Sequence, residues 1–272
     1  MANKSQYIKT TEQIKIMREN GKLLAKMLNT LKSMIIPGIN TMELEKEFIK
    51  MCQKNNATPA CKGYAPYGMP LFPTGLCISK NNECVHCYPK LSKTLNYGDV
   101  VTVDTSIEKD GLFVDSAFSM VVLAPKNFKN ISTKNIDPKI VEKRQNLVKA
   151  AEEAMFSAIK EVKPGVYLGD VSNKMHETTK SYGFNVIRDY AGHGIGTKMH
   201  EWPEIPCYGK KGTGPTLDEG MTICIEALVC EGNPAIINTS DWETAMRDGK
   251  DWVQSEHTVL VTKDGYELIT AR

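Results

Sequence analysis

LNYGDVVTVD at residues 95–104 and LDEGMTICIE at residues 217–226 are the two stretches of this chain that decide its fold. They share a leucine, a glycine three positions on and an acid nine positions on, Asp104 in one and Glu226 in the other. Each is a polar turn followed by a β-branched run, which predicts a strand that carries a carboxylate near its end. A carboxylate in an apolar strand is costly to bury unless a positive charge lies beside it. The repetition therefore predicts two related halves whose acids meet at one cationic centre, a metal site.

The rest of the chain extends this internal repeat. Pro37-Gly38 and Pro164-Gly165 each separate two amphipathic helical patterns, and an apolar residue falls seven positions after each proline. Self-similarity of this kind decides the whole fold, and two copies favour a single pseudo-twofold domain over a solenoid. We expect one domain over residues 1–272, with halves at about 8–124 and 138–270 and a polar loop at about 125–137. Because helices and antiparallel strands alternate in blocks, the fold class predicted is α+β.

Composition excludes several classes of function. The chain has 272 residues, is 41% hydrophobic and has a net charge of +2 with basic and acidic residues interspersed, so no binding to nucleic acid or to a membrane is expected. Its first residues lack the apolar stretch of a signal peptide, which predicts a cytoplasmic protein. The eight cysteines are then expected to be reduced.

Periodicity and turn signals place the elements. Thr11 is expected to cap a helix that ends at about Met34, and Thr41 to open the next. Further helices are expected after Asp137 and over Leu168–Tyr182, with strands over the ranges 76–79, 100–107, 112–123, 221–229, 253–261 and 266–270.

The Asp110-Gly111 pair predicts a tight hairpin between two of these strands. In a two-residue turn, residue 104 pairs with residue 117, so Asp115 lies diagonal to Asp104 on the same face. Asp115 is then either a second acid of the metal site or an ordinary solvated strand residue. The pair by itself leaves both readings open.

The five histidines narrow the choice of site residues. His193 lies among glycines in residues 192–196, His200 begins His-Glu-Trp-Pro, and His86 lies between Cys84 and Cys87. We expect His176 to be a surface residue, and His257 to be structural because it follows Glu256 in a strand and faces the other side. The Cys84–Cys87 spacing invites a zinc or redox interpretation, but no second such pair follows, and buried thiols are favoured.

The chain resembles methionine aminopeptidases of the pita-bread fold, of type I, over about residues 8–268. The resemblance is carried by five acids and histidines in order, by the Gly-His-Gly-Ile-Gly, His-Glu-x-Pro and Ser-Glu-His-Thr motifs, and by both hairpins. It implies a central dinuclear site for two divalent metal ions, Mn, Fe, Co or Zn. The metal ligands implied are Asp104, Asp115, His193, Glu226 and Glu256.

The resemblance also implies a role for each ligand and for three catalytic residues. Asp104 would chelate one metal, His193 and Glu226 mainly the other, and the remaining two acids would bridge both. A hydroxide shared by the metals would attack the scissile carbonyl. Glu226 would carry the proton to the leaving amine, His200 would stabilise the carbonyl oxygen, and His86 would contact the scissile nitrogen.

The substrate implied is the initiator methionine of a nascent polypeptide with a small second residue, met as a free N-terminus at the ribosome exit by a monomeric enzyme. The residues implied for the methionine slot are Cys61, Tyr64, Cys77, His86, Met199, His200 and Trp242. Tyr64–Gly75 is longer than the usual family segment. Cys87 stands where the family usually has glycine and is expected to tighten the limit on the second residue.

Two alternatives compete with this function. Prolidases and aminopeptidase P share the fold, but carry a large N-terminal domain that residues 1–272 do not include. Non-catalytic binding modules of the same fold have lost metal ligands, whereas this chain keeps all five.

Overall fold

The computed structural model describes residues 4–125 and 136–272, and most of the predicted polar loop at 125–137 lies outside them. It contains helices and a mostly antiparallel sheet, so the predicted α+β class is confirmed. The helices are α1 (Thr11–Met34), α2 (Thr41–Lys54), α3 (Pro138–Ile159) and α4 (Leu168–Ser181), with 3-10 turns at Lys4–Tyr7 and Pro66–Gly68. No helix in the described part of the chain is both long and apolar enough to cross a membrane.

The same described residues also contain twelve strands. They are β1 (Thr58–Pro59), β2 (Cys77–Lys80), β3 (Val100–Lys109), β4 (Leu112–Val121), β5 (Asn185–Val186), β6 (Ala191–Gly194), β7 (Glu201–Pro206), β8 (Thr222–Cys230), β9 (Ile236–Asn238), β10 (Thr244–Met246), β11 (Trp252–Thr262) and β12 (Gly265–Leu268). The main sheet has the order β1-β3-β4-β11-β8-β6-β7, with β2, β5 and β12 pairing to β3, β8 and β11.

Helix α1 begins one residue away from the predicted cap. The hydroxyl of Thr10, not Thr11, accepts a hydrogen bond from the Gln13 amide, and the Gln13 side chain accepts one from the Thr10 amide. This capping box satisfies two helix N-terminal donors and contributes about 1 kcal/mol. Two adjacent threonines made the cap ambiguous in the sequence, and the glutamine three positions after Thr10 resolves it.

The β3–β4 hairpin has the predicted register. Asp110 and Gly111 both have positive φ, +54° and +77°, as a two-residue turn of this kind requires. Asp104 is paired with Ala117, which confirms the prediction and places Asp115 two residues along the same face.

The two repeated stretches, residues 95–104 and 217–226, make equivalent backbone contacts. The amide of Leu95 donates to the carbonyl of Ile39 at 2.9 Å, and the amide of Leu217 donates to that of Val166 at 2.9 Å. The glycine three positions after each leucine has a φ of +84° in one copy and +85° in the other. These matched contacts are those expected of a duplicated half, and the boundaries of the two halves stay a prediction.

Pairing across the sheet aligns the acids of the two halves in one row. Cys77 pairs with Asp104, Asp104 with Ala117, Ala117 with Glu256, and Glu256 with Glu226. Alternation sends the neighbours of these residues to the opposite face, where α1 and α3 pack on the sheet. The helices therefore cover one face of the sheet and leave the acids on the other.

Candidate metal centre and active site

Four carboxylates converge on the face of the sheet that the helices leave free. Oxygen atoms of Asp104, Asp115 and Glu256 all lie within 4.8 Å of one another. Glu226 is paired directly with Glu256 on the neighbouring strand, and the side chains of both accept hydrogen bonds of 3.1 Å from one amide nitrogen, that of Gln254. The sheet register therefore builds the cluster, since three of its members share one row.

Burial makes this cluster electrostatically costly. Desolvation raises the pKa of Glu226 to about 8 and that of Asp115 to about 6. Desolvation and the charge of Asp115 raise the pKa of Asp104 and of Glu256 well above their ordinary values. Like charges that share a desolvated site favour protonation of some members or binding of a cation.

The donors present fit a divalent metal ion. Oxygen Oδ1 of Asp115 is buried without a hydrogen-bond partner, and within residues 4–125 and 136–272 no lysine or arginine forms an ion pair with any of the four acids. Carboxylate oxygens with one imidazole suit Mn, Fe, Co or Zn. A cation at this position would satisfy the orphaned oxygen and offset the repulsion between the acids.

His193 contributes the imidazole. It lies in β6 beside β8, and its Nδ1 is 2.9 Å from the carbonyl oxygen of Gly194. The preceding residue, Gly192, permits this approach, because a Cβ there would lie 2.3 Å from the carbonyl oxygen of Cys224. Burial, with the neighbouring His200, lowers the pKa of His193 to about 3, so the ring is neutral and can offer a lone pair to a metal.

His200 stands on a loop that a buried ion pair fixes. The carboxylate of Glu201 lies 2.7 Å from the Lys9 ammonium and accepts hydrogen bonds from the Thr197 amide and hydroxyl. The His200 ring faces the cavity with its centroid 4.4 Å from that of His193, and its Nδ1 is 2.8 Å from the hydroxyl of Tyr64. Partial desolvation lowers the pKa of His200.

His86 reaches the site on a loop that pairs with the segment before β10. The amide of His86 donates to the carbonyl of Trp242 at 3.4 Å, and the His86 ring meets the Tyr190 ring edge-on at 5.3 Å. Burial, followed by the proximity of His200, lowers the pKa of His86 to about 4. The imidazole is therefore neutral near pH 7.

The two cysteines beside His86 fix this loop and make no metal site in the described residues. The Cys84 amide donates to the carbonyl of Thr244 at 2.9 Å, and the Cys87 thiol donates to the same oxygen at 3.3 Å. Cys87 is buried and does not line the cavity. Because its thiol is directed to the carbonyl of Thr244 and not into the cavity, the structure offers no direct contact by which Cys87 would limit the second substrate residue.

One cavity of about 990 Å³ brings all of the predicted site residues together. Its lining includes Cys61, Tyr64, Cys77, Met199 and Trp242, which we call the apolar wall. A hydrogen bond that the Cys77 thiol donates to Cys61, together with burial, raises the pKa of Cys77 well above its usual value, so this thiol stays uncharged. The wall is thus apolar, rich in sulfur and aromatic rings, and next to the acids.

The long segment Tyr64–Gly75 forms part of the rim. Pro70 accepts a 2.9 Å hydrogen bond from the Trp242 indole, and the Phe72 ring meets that indole edge-on at 5.2 Å. Tyr67 is fully exposed at the mouth of the cavity. Pro66, Tyr67, Met69 and Phe72 of this segment therefore line the cavity together with Trp242.

Sequence reasoning missed two residues at the candidate metal centre. Gln254 bridges two of the acids, and the thiol of Cys224 lies within 4.8 Å of the ligand atoms of His193 and Glu256. Gln254 precedes Glu256 by two positions and Cys224 precedes Glu226 by two, so strand alternation alone places both on the acid-bearing face. That signal was available in the sequence.

Residues 15–263, most of the chain, match the sequence pattern of metallopeptidase family M24. The chain belongs to metallopeptidase family M24. A divalent metal cofactor is therefore a property of its family, and the buried acids described above form a candidate site for it.

The M24 relatives similar to this chain include the methionine aminopeptidase of Mycoplasma capricolum, which is 39% identical over 264 residues that cover 97% of each chain. The crystal structure of the methionine aminopeptidase from Thermotoga maritima is 37% identical and superposes with a TM-score of 0.87 over 97% of this chain and 99% of that one. These similarities confirm the resemblance read from the motifs and the pita-bread fold.

A prolidase from Pyrococcus furiosus shares the fold with a TM-score of 0.73 at 22% identity. The match covers 98% of this M24 chain but 66% of the prolidase. At this identity the similarity concerns the fold alone.

Proposed function

We propose that this chain is a methionine aminopeptidase that removes the initiator methionine from nascent polypeptides whose second residue is small. The observation that carries the proposal is the single cavity that combines a buried acid cluster with an apolar, sulfur-lined wall. The names of relatives that match over 97% of the chain support the same activity.

Two divalent ions would be held by the four acids and His193. Asp104 would serve mainly one ion and His193 with Glu226 the other, and Asp115 and Glu256 would contribute oxygen atoms to the same centre. When bound, the ions activate a water molecule and polarise the scissile carbonyl. The neutral imidazole and the orphaned Asp115 oxygen support this assignment.

Glu226 would move the proton. Its carboxylate lies in the lining of the cavity, on β8 and beside Glu256, where it would be within reach of the reacting atoms. The amide of Gln254 would keep this carboxylate oriented toward Glu256.

Two histidines would bind the peptide backbone. His200, at the edge of the acid cluster, would donate a hydrogen bond to the carbonyl oxygen as negative charge develops. His86, across the cavity, would contact the scissile nitrogen or the backbone after it. Both rings are neutral near pH 7, so each acts as a hydrogen-bond partner without adding charge.

The apolar wall would bind the methionine side chain. Thioether contacts with aromatic edges and thiols are favourable, and the unbranched methionine side chain adapts to an irregular slot. The acids and histidines crowd the cavity beyond the scissile bond, which would restrict the second residue to small side chains.

The setting proposed is the cytoplasm, with a monomeric enzyme acting on chain termini as they leave the ribosome. The proposal rests on the substrate, since initiator methionine is exposed there first.

Metal analysis of the purified protein together with hydrolysis of Met-Ala-Ser tests the function. We expect two divalent ions per chain and release of free methionine, with no cleavage of Xaa-Pro peptides. Cleavage of Xaa-Pro peptides alone would favour a prolidase, and failure of the metal-loaded protein to cleave either peptide would favour a non-catalytic module.

A further inference from the structure

Tyr64 and His200 meet in a hydrogen bond between residues 136 positions apart in the chain. The Tyr64 hydroxyl lies 2.8 Å from Nδ1 of His200, and the two ring centroids are 5.2 Å apart. Because Nδ1 is engaged in this bond, Nε2 is the nitrogen that remains for substrate. Which of the two nitrogens carries the proton depends on which partner donates.

The neighbouring His193 shows the opposite arrangement. Its Nδ1 is 2.9 Å from the carbonyl oxygen of Gly194, and a carbonyl oxygen can only accept. Nδ1 of His193 therefore carries the proton, and Nε2 keeps the lone pair that a metal ligand needs. Two rings with centroids 4.4 Å apart thus meet different kinds of partner at the same ring atom.

A hydroxyl can donate where a carbonyl cannot. A phenol is a stronger acid than a neutral imidazole N–H, and an imidazole nitrogen is a stronger base than a phenol oxygen, so the favoured bond runs from O–H to Nδ1. Burial raises the pKa of Tyr64, which keeps its hydroxyl protonated. The proton of His200 then lies on Nε2.

We propose that Tyr64 is a positioning residue that fixes His200 in the tautomer with its proton on Nε2, so that adjacent histidines of this site are held in opposite tautomers. His193 presents a lone pair and His200 presents a donor. The inference rests on the proposed function, in which His200 donates to the scissile carbonyl oxygen. It gives Tyr64 a task beyond lining the methionine slot.

Nitrogen NMR of the imidazole rings tests the tautomer without any turnover. The zinc-loaded protein is suitable because Zn²⁺ is diamagnetic, and the loss of signals in His200→Gln assigns the ring. We expect a protonated Nε2 and an unprotonated Nδ1 for His200 in the wild type. We expect Tyr64→Phe to produce a substantial Nδ1-protonated population, and Tyr266→Phe, an exposed tyrosine on β12 that does not line the cavity, to leave the tautomer unchanged.

A wild-type His200 with its proton on Nδ1 would overturn the proposal. So would an unaltered tautomer in Tyr64→Phe, since the hydroxyl would then not be what selects it. If instead the tautomers behave as expected but wild-type protein releases no methionine, the proposed function fails while the assignment of the hydrogen bond stands.

Kinetics with Met-Ala-Ser test the consequence. Tyr64→Phe keeps the ring in the slot, so we expect kcat to fall by about 10- to 100-fold with a small change in KM, because one oriented donor is lost in part of the molecules. In a His200→Ala background the same substitution should change kcat little further. A raised KM at constant kcat, or fully additive losses in kcat, would show that Tyr64 acts independently of His200.

Discussion

Binding of metal to the metal-free protein should release protons at pH 7. Without a cation, burial raises the pKa of Glu226 to about 8 and that of Asp104 and Glu256 well above the ordinary range. Metal ligands must be deprotonated, so each ion that enters expels the protons that the acids hold. Titration of the metal-free protein with Mn²⁺ therefore tests this expectation.

The raised pKa values determine how many protons each chain should release. A carboxyl group with a pKa of about 8 is roughly nine-tenths protonated at pH 7, so Glu226 alone supplies close to one proton. With contributions from Asp104 and Glu256 we expect between about one and three protons per chain. Because the carboxyl pKa values are raised, the metal-free site holds protons at any pH below those pKa values. The apparent affinity should therefore fall about tenfold per released proton for each pH unit of acidification.

Calorimetric titration in buffers of different ionisation enthalpy counts the protons directly. Glu226→Gln should release about one proton fewer than the wild type. Glu267→Gln, which removes a surface carboxyl paired with Arg18, should leave the count unchanged. Absence of proton release from the wild type at pH 7 would refute the reasoning, since the acids would then be ionised before the metal arrives.

Four further outcomes are expected. Glu226→Ala should abolish methionine release while circular dichroism shows a folded protein, and ample activity with metal saturated would contradict its role. Wild-type protein should cleave Met-Ala-Ser far better than Met-Leu-Ser, a difference that should exceed the 1–3 kcal/mol (about 10–200-fold) typical of one methylene. Equal rates would contradict the crowding beyond the scissile bond. Cys87→Gly should leave that ratio unchanged, because the thiol faces the carbonyl of Thr244. Burial lowers the pKa of His257 to about 3, so below about pH 6.5 the unfolded chain binds a proton that the folded one does not. Between pH 6.5 and 5 the wild type should thus lose up to about 2 kcal/mol more unfolding free energy than His257→Gln, and parallel curves would contradict this.

Turn chemistry and strand alternation determined the local part of the structure from the sequence by itself. The Asp110-Gly111 turn fixes the pairing of Asp104 with Ala117, and alternation then places Asp115 on the same face. Such information lies within about ten residues, where sterics and pleat geometry act directly. The same alternation, applied to the strand that carries Glu256, predicts that Gln254 lies on the face that carries the acids.

Tertiary structure alone decided which distant residues meet. The row that joins Asp104 to Glu226 requires β11 to lie between β4 and β8, an order set by the burial of the whole sheet under the helices. The bond between Tyr64 and His200, and the contact of Cys87 with Thr244, likewise join segments more than 100 residues apart. Sequence periodicity predicts the face of the sheet on which a side chain lies. The distant residues that it contacts on that face depend on long-range packing, which no local pattern encodes.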